Sequence, residues 1–244
     1  MNMRIAVLTT ETLHHAFFVR ELKELYGDVT AFCEAPAATD TSFPTQHAFE
    51  RERDRFESES WFNGVPRHIG DIAESHEWAS INDEGATKAL RAYAPDIILV
   101  FGTAVLKPPV IAVRPDRVWN LHGGDPERYR GLDTHLWAIY HRDFPALVTT
   151  LHRLDSGVDT GDIILQRTVP LEPGMPIHAL RRANTEVCVQ LATSAIEMIE
   201  GAGDVVVNRQ RGKGRYYSSM PAVLKGLCKD RFEAYTSRLS RDSG

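Results

Sequence analysis

The run Ile97-Ile98-Leu99-Val100-Phe101, entered through Asp96, is apolar at every position. A strand with one face in water alternates polar and apolar residues, so an unbroken run of this kind belongs in a sheet covered on both sides. The start of the chain supplies the unit that builds such a sheet. Arg4 to Leu8 reads as a buried first strand running into Thr9-Thr10-Glu11. The stretch HHAFFVRELKELYG follows, with Phe17, Val19, Leu22 and Leu25 close to helical spacing and Gly27 at its end. Val29 to Cys33 reads as a second strand, and strand, helix, strand in this order predicts a parallel α/β unit.

The remaining chain continues the pattern. Residues 35 to 46, APAATDTSFPTQ, predict a loop, and HAFERERDRFESESWFNG predicts a charged helix that packs Phe49, Phe56, Trp61 and Phe62 on the body, with a lid as the other reading. Asn82 to Tyr93 predicts a helix despite Gly85, and Arg117 to Leu121, Leu147 to Leu154 and Ile163 to Val169 predict strands. Pro176 to Ile199 predicts a long amphipathic helix with Gly201 past its end. A basic segment, NRQRGKGRYYSSMP, precedes a last helix over Ala222 to Leu239. The expected fold is α/β: a Rossmann-like, mostly parallel open sheet with helices on both faces and a short C-terminal extension. We divide it into a main domain over 1–205 and an extension over 206–244, a hairpin-like segment plus a helix.

Composition removes several function classes. A chain of 244 residues that is 43% hydrophobic can bury a full core as one domain with a small extension. Its 28 Lys and Arg against 33 Asp and Glu give a net charge of -5, so no strong basic field exists to hold a nucleic-acid backbone. Cys33, Cys188 and Cys228 are an odd number without CxxC spacing, which argues against a disulfide framework or a zinc site and fits a reducing cytoplasm. No run of ~18 apolar residues occurs, and MNMRIAVLTTE has no long apolar core, so neither a membrane span nor an export signal is expected.

No GxGxxG follows the first strand and no GxxxxGK[ST] occurs anywhere, so ordinary nicotinamide and ATP readings fall. In open α/β sheets, sites form beyond the carboxyl ends of the strands. WNLHGGDPERYRG, residues 119 to 131, lies at that place, with Asn120 and His122 on one strand face and a polar loop after them. A second polar cluster is LDSGVDTGDII, where Asp155, Asp159 and Asp162 sit among glycines between two strands. An Asp from that loop can reach His122. The histidine supplies a proton or hydrogen bond near neutrality, the asparagine amide faces a developing oxyanion, and the carboxylate holds the imidazole or relays protons. None of the three is a natural nucleophile and no Ser or Cys joins them in a triad, so the implied chemistry is direct acyl transfer between two bound substrates. Asp125 and Asp162 with His122 imitate a metal set, but Asp162 most simply turns the chain, and no metal is expected. His135 and His141 are expected to be structural or surface groups. In the tail, Arg209, Arg211, Lys213 and Arg215 with Tyr216 and Tyr217 suit either a grip on a diphosphate and a base or a solvated basic hairpin.

Asn-x-His at 120–122, Tyr129-Arg130-Gly131, Trp137 and the 154–164 stretch together resemble the folate-dependent formyltransferase family. That family includes glycinamide ribonucleotide transformylase, the catalytic domain of methionyl-tRNA formyltransferase and the N-formyltransferases of nucleotide-linked amino sugars. The resemblance is strongest from Asp96 to Val169. It implies a catalytic trio of Asn120, His122 and Asp159, with N10-formyltetrahydrofolate as co-substrate. It also implies a folate site formed by Gly102, Thr103, Ala104, Val105 and Leu106 together with Asp155, Ser156, Gly157 and Val158. Thr10, Asp125, Tyr129 and Arg130 are expected on the acceptor side. The loop after the histidine departs from the family: Gly123-Gly124-Asp125-Pro126-Glu127 replaces a sequence close to SLLP, which implies a remodelled acceptor side, with Asp125 more simply a turn former. The chain ends too early for the C-terminal domain of methionyl-tRNA formyltransferases, its charge disfavours tRNA, and Thr9-Thr10-Glu11 offers no glycines for a ribonucleotide phosphate. An amine on a nucleotide-linked deoxysugar is the leading acceptor. A hydroxyornithine-type amine, hydrolysis of the folate and a non-catalytic folate- or nucleotide-binding relative are the alternatives. The resemblance leaves room for a homodimer.

Overall fold

The computed structural model describes residues 3–36, 41–155 and 157–239, so part of the loop expected over 35–46 lies outside the described residues. In chain order the elements are β1 (Ile5–Thr10), α1 (Leu13–Tyr26), β2 (Val29–Glu34), α2 (Ala48–Phe62), β3 (Glu74–Trp78), α3 (Glu84–Tyr93), β4 (Ile97–Phe101), α4 (Pro108–Ile111), β5 (Val118–His122), β6 (Tyr129–Gly131), α5 (Thr134–Tyr140), β7 (Val148–Arg153), β8 (Ile163–Thr168), α6 (Leu180–Ala202), β9 (Arg215–Tyr217) and α7 (Ala222–Leu239). Seven strands form one sheet in the order β3-β2-β1-β4-β5-β7-β8. The first five pair in parallel, and β7 and β8 continue the sheet antiparallel.

The central strands serve two cores at once. Ile5, Val7, Ile97, Leu99 and Phe101 face a cluster shared with α1 and α6. Ala6, Leu8, Ile98 and Val100 face a second cluster with residues of α3 and α4. Alternate side chains of one strand point to opposite faces, so both parities must be apolar, and this is the origin of the unbroken run in β4. The sheet reverses direction of growth between β1 and β4, which places a crevice at their carboxyl ends.

Three elements differ from expectation. β3, Glu-Ser-His-Glu-Trp, pairs in parallel with β2 at the sheet edge. An edge strand needs no apolar second face and carries charges that deter further pairing, so its sequence does not announce a strand. The long helix is preceded by a 3-10 turn over Ile177–Ala179 and runs through Gly201 to Ala202, where Gly203 closes it with its N–H on the Ile199 carbonyl at 2.9 Å. One glycine inside a helix costs only about 1 kcal/mol, so Gly201 is not a stop. The basic tail is no hairpin: β9 pairs in parallel with β6, Tyr129 to Arg215 and Gly131 to Tyr217. Gly131 is required there, because its φ is 91° and a Cβ would lie 2.2 Å from the Tyr217 carbonyl oxygen. α7 completes this side, with Cys228 and Phe232 buried beside Tyr129, Ala138 and Ile139. α2 forms as expected and buries Phe49, Trp61 and Phe62, with Phe56 partly buried; His47 and Glu50 cap its start.

Candidate active site

The crevice is a cavity of about 670 Å³, within the size range of small-molecule sites. Its walls come from the ends of β4 and β5, the start of α1, one side of α2 and α6, and the loop between β7 and β8.

Asn120 and His122 stand on one face of β5, as their spacing requires. Asp159 reaches both from the 154–162 loop. One carboxylate oxygen accepts from Asn120 Nδ2 at 3.3 Å; the other lies 3.5 Å from His122 Nδ1 and accepts the Gly131 N–H at 2.9 Å. Asp159 holds a left-handed backbone, φ 51°. His152 joins them, a residue that no sequence motif marks. Antiparallel pairing sets it opposite Asn120, and its Nε2 lies 3.1 Å from Asn120 Nδ2 and 3.5 Å from Asp159. Alternation along β7 carries that signal, but only once β7 is known to pair with β5.

Hydrogen-bond partners fix the protons. His122 Nε2 lies 2.9 Å from the Tyr129 carbonyl, an acceptor only, so Nε2 carries the hydrogen and Nδ1 presents its lone pair toward Asp159. His152 Nδ1 donates to the Arg153 carbonyl at 2.8 Å, leaving Nε2 as acceptor. Asn120 must therefore turn its NH2 toward His152 and Asp159. Both amide hydrogens are engaged, and its Oδ1 is the atom left for a ligand.

Burial lowers the pKa of His122, opposed by the Asp159 charge and helped by His152. Burial raises Asp159, but the His152 ring beside it, the charge of His122 and the Gly131 N–H outweigh it and bring it down to about 2. Near neutrality the pair is a carboxylate beside a neutral imidazole. Three more histidines line the cavity, His15 buried and His14 and His135 half-buried. Burial drives His15 to about 3 and His135 to about 4, against the carbonyls of Thr10 and Val148 that each ring donates to. His14 is held well below its ordinary value by burial, then by His15, Arg181 and Arg53.

The two loops expected to hold folate both line the cavity. Gly102, Thr103, Ala104, Val105 and Leu106 follow β4, and Asp155, Gly157 and Val158 follow β7; Ser156 lies outside the described residues. Gly102 has φ 85° and lies under the His15 ring, where a Cβ would approach Cε1 to 2.4 Å. The first loop is braced from below. Glu34 accepts the Ala104 N–H at 2.7 Å, and Asn82 bridges the Val105 carbonyl and the Lys107 N–H at 3.1 and 2.7 Å. Asp155 accepts from the Gly157 N–H at 2.9 Å and from the Thr160 hydroxyl, so its carboxylate serves the loop's own turn.

The four residues expected on the acceptor side lie behind the wall instead. Thr10 bonds His15 through its hydroxyl at 3.1 Å. Asp125 turns the chain by accepting the Glu127 N–H at 3.0 Å. Tyr129 donates its hydroxyl to Asp143 at 2.9 Å and stacks on Tyr217. Arg130 is buried and donates to Pro126, Gln210 and Gly212. The cavity is lined instead by His14, Phe49, Arg53, Leu136, Arg181 and Asn184. Arg181 grips the fully buried Glu57 through Nε at 2.7 Å and also bonds Asp54, while Arg53 pairs with Glu50 and Asp54. Phe49 and Phe62 lie at opposite ends of α2, and sequence periodicity does not distinguish which side of the helix faces the cavity. His135 is structural through Val148 but also lines the cavity, and His141 is an exposed partner of the Tyr217 hydroxyl. Among the described residues no group of three His, Cys, Asp or Glu is arranged to hold a metal, and no helix is long and apolar enough to cross a membrane.

A family model described as formyl transferase matches residues 3–196. A methionyl-tRNA formyltransferase of Desulfotalea psychrophila is 36% identical over 116 residues, which cover 47% of this chain and 34% of that protein. The matches to curated relatives of this kind span about a third to about half of their length. Among solved structures, WlaRD, a sugar 3N-formyl transferase studied with dTDP and 5-N-formyl-THF, superposes with a TM-score of 0.58 at 16% identity, covering 89% of this chain and 70% of that one. PseJ of Anoxybacillus kamchatkensis, in complex with UDP-4,6-dideoxy-4-formamido-L-AltNAc and tetrahydrofolate, gives 0.51 at 19% identity, covering 88% and 85%. At these identities the two structures speak for the fold.

Proposed function

The chain belongs to the formyl transferase family, and from that premise we propose that it transfers the formyl group of N10-formyltetrahydrofolate to the primary amine of a small acceptor, with Asn120, His122 and Asp159 as the reacting centre. The observation that carries this reading is Asp159, whose single carboxylate touches both Asn120 and His122 beside the cavity.

The donor's pterin enters between the 102–106 and 154–158 loops, against Leu106, Leu154 and Val158 and the main chain of both. The acceptor amine approaches from the His14 and Arg181 end. As its nitrogen bonds to the formyl carbon, the carbonyl oxygen becomes an oxyanion and the nitrogen becomes acidic. His122 Nδ1 takes that proton; neutral before the step, it becomes an imidazolium paired with Asp159. The Oδ1 of Asn120 accepts the amine's other N–H and aims the nucleophile. When Asp159 turns to the imidazolium, the longer of Asn120's two donated bonds, 3.3 Å, is released to the oxyanion. Collapse breaks the bond from the formyl carbon to N10, and His122 returns its proton to that nitrogen.

The acceptor we propose is an amino deoxysugar carried on a nucleotide. Tyr216, 62% exposed, and Leu132, 53% exposed, flank the cavity mouth and offer an apolar clamp for a base. The related WlaRD and PseJ structures were studied with dTDP and a UDP-sugar. Curated relatives are named for methionyl-tRNA, but a net charge of -5 gives this chain little attraction for a polyanion. The test is transfer of an isotope-labelled formyl group across UDP- and dTDP-linked amino deoxysugars, glycinamide ribonucleotide, hydroxyornithine and initiator methionyl-tRNA, read by mass spectrometry. Label in a sugar nucleotide supports the acceptor class; label in tRNA alone overturns it.

A further inference from the structure

Gln210 lies beyond the stretch that the family model covers, yet it touches the loop that carries Asp159. Its Nε2 donates to the Asp159 carbonyl at 3.0 Å and to the Gly161 carbonyl at 2.7 Å. Its Oε1 accepts from Arg130 Nη2 at 2.7 Å. A guanidinium only donates and a carbonyl only accepts, so the amide has one possible orientation and all three of these bonds are complementary. Arg130 is buried, anchored by Nε on the Pro126 carbonyl at 2.8 Å, and sits in the middle of the β6–β9 pairing opposite Tyr216. The next residue of β6, Gly131, gives its N–H to the Asp159 carboxylate at 2.9 Å. One short strip of backbone, Arg130-Gly131, thus grips Asp159 from both ends: the carboxylate directly and the main chain through Gln210.

The grip has something to hold. Asp159 keeps a left-handed backbone that a residue with a side chain adopts only under constraint. Two residues on, Gly161 lies so close to the Arg153 carbonyl that a Cβ would come within 1.7 Å. Gln210 clamps the carbonyls on both sides of Thr160, between these two tight points.

We propose that Gln210 is a positioning residue for formyl transfer: by donating to the Asp159 and Gly161 carbonyls from an amide polarised by Arg130, it fixes the carboxylate against His122 and Asn120. This rests on the role assigned above to Asp159. It also makes the segment after residue 205 a working part of the site.

Gln210→Glu separates this role from simple stapling of the tail, because it keeps a partner for Arg130 but replaces two donors with oxygen facing carbonyl oxygen. Gln210→Met removes both links. Both are made in the full chain, with folding checked by circular dichroism and thermal melting. We expect kcat to fall ten- to a hundredfold, as displacement of a reacting group by about 1 Å entails, with KM for N10-formyltetrahydrofolate within about threefold and the melting temperature of Gln210→Glu retained. A second readout needs no acceptor: the NMR titration of the His122 ring, assigned with His122→Gln. His122 is faced by Asp159, His152 and His135 and at longer range by Asp125, and of these only Asp159 is bonded to Gln210. The Asp159 charge raises His122, so a displaced carboxylate lets its titration move to lower pH. A folded Gln210→Glu protein with native kcat and native His122 titration overturns the proposal. If the native protein transfers no formyl group, the proposed function fails, and the NMR titration still decides the role of Gln210.

Discussion

Replacing His15 by Gln should flatten the acid side of the stability curve by a calculable amount. His15 is 4% exposed and donates through Nδ1 to the Thr10 carbonyl, and burial takes it from 6.5 to about 3. The unfolded chain binds a proton on this residue below 6.5 while the folded protein refuses it until about 3. The stabilising difference is therefore complete above pH 6.5 and is lost progressively as pH falls toward 3. One pKa unit is worth about 1.4 kcal/mol, so at about pH 5 the native protein should be roughly 2 kcal/mol less stable than at pH 8 on account of this residue alone. His14, 3.9 Å away between ring centroids, is itself held well below its ordinary value by burial and by His15. The assay is urea unfolding followed by circular dichroism at both pH values for the native protein and His15→Gln. The cost of the substitution at pH 8 is subtracted, and the double difference should be about 2 kcal/mol in favour of the variant at pH 5. Parallel pH dependences would show that His15 takes up a proton in the folded state and would refute the reasoning.

Three further outcomes follow from the site. His122→Ala should lower kcat by about 10²- to 10⁴-fold, the usual worth of a general base, while calorimetry shows N10-formyltetrahydrofolate still bound within a few-fold; equal loss of binding and turnover would make the residue structural. Glu34→Ala leaves the Ala104 and Ile81 N–H groups and the Ser80 hydroxyl without their acceptor, so donor binding should weaken by about 1–3 kcal/mol with kcat nearly kept, read from the dissociation constant. Gly131→Ala drives a Cβ into the Tyr217 carbonyl and should cost about 3 kcal/mol or more, separating β9 from β6; a native melting temperature would mean that the pairing is dispensable.

Much of this arrangement is written locally in the chain. The two-faced strand β4 shows itself by an unbroken apolar run, α1 and α3 by their periodicity, and Asn120 with His122 by the two-residue period of a strand that ends in a polar loop. What is not legible depends on who pairs with whom. His152 reads as one polar residue of a strand until β7 lies antiparallel to β5, and Gln210 as one residue of a basic tail until β9 lies beside β6. Arg130 and Tyr129 sit in a motif that draws the eye to the acceptor, yet their side chains support the wall from behind. Arg53 and Arg181 come from helices whose charged faces look uniformly solvated in sequence. Charge alone does not say which guanidinium meets a cavity.

In the proposed reaction this site moves a formyl group from folate to an amine. The most direct measurement follows the absorbance of N10-formyltetrahydrofolate as it becomes tetrahydrofolate, with and without the acceptor panel, while free formate is determined in parallel. The account predicts turnover that requires an amine, releases no formate, and collapses in Asp159→Asn and Asn120→Ala. Formate released in buffer alone, at a rate that no amine changes, would contradict it and make water the acceptor.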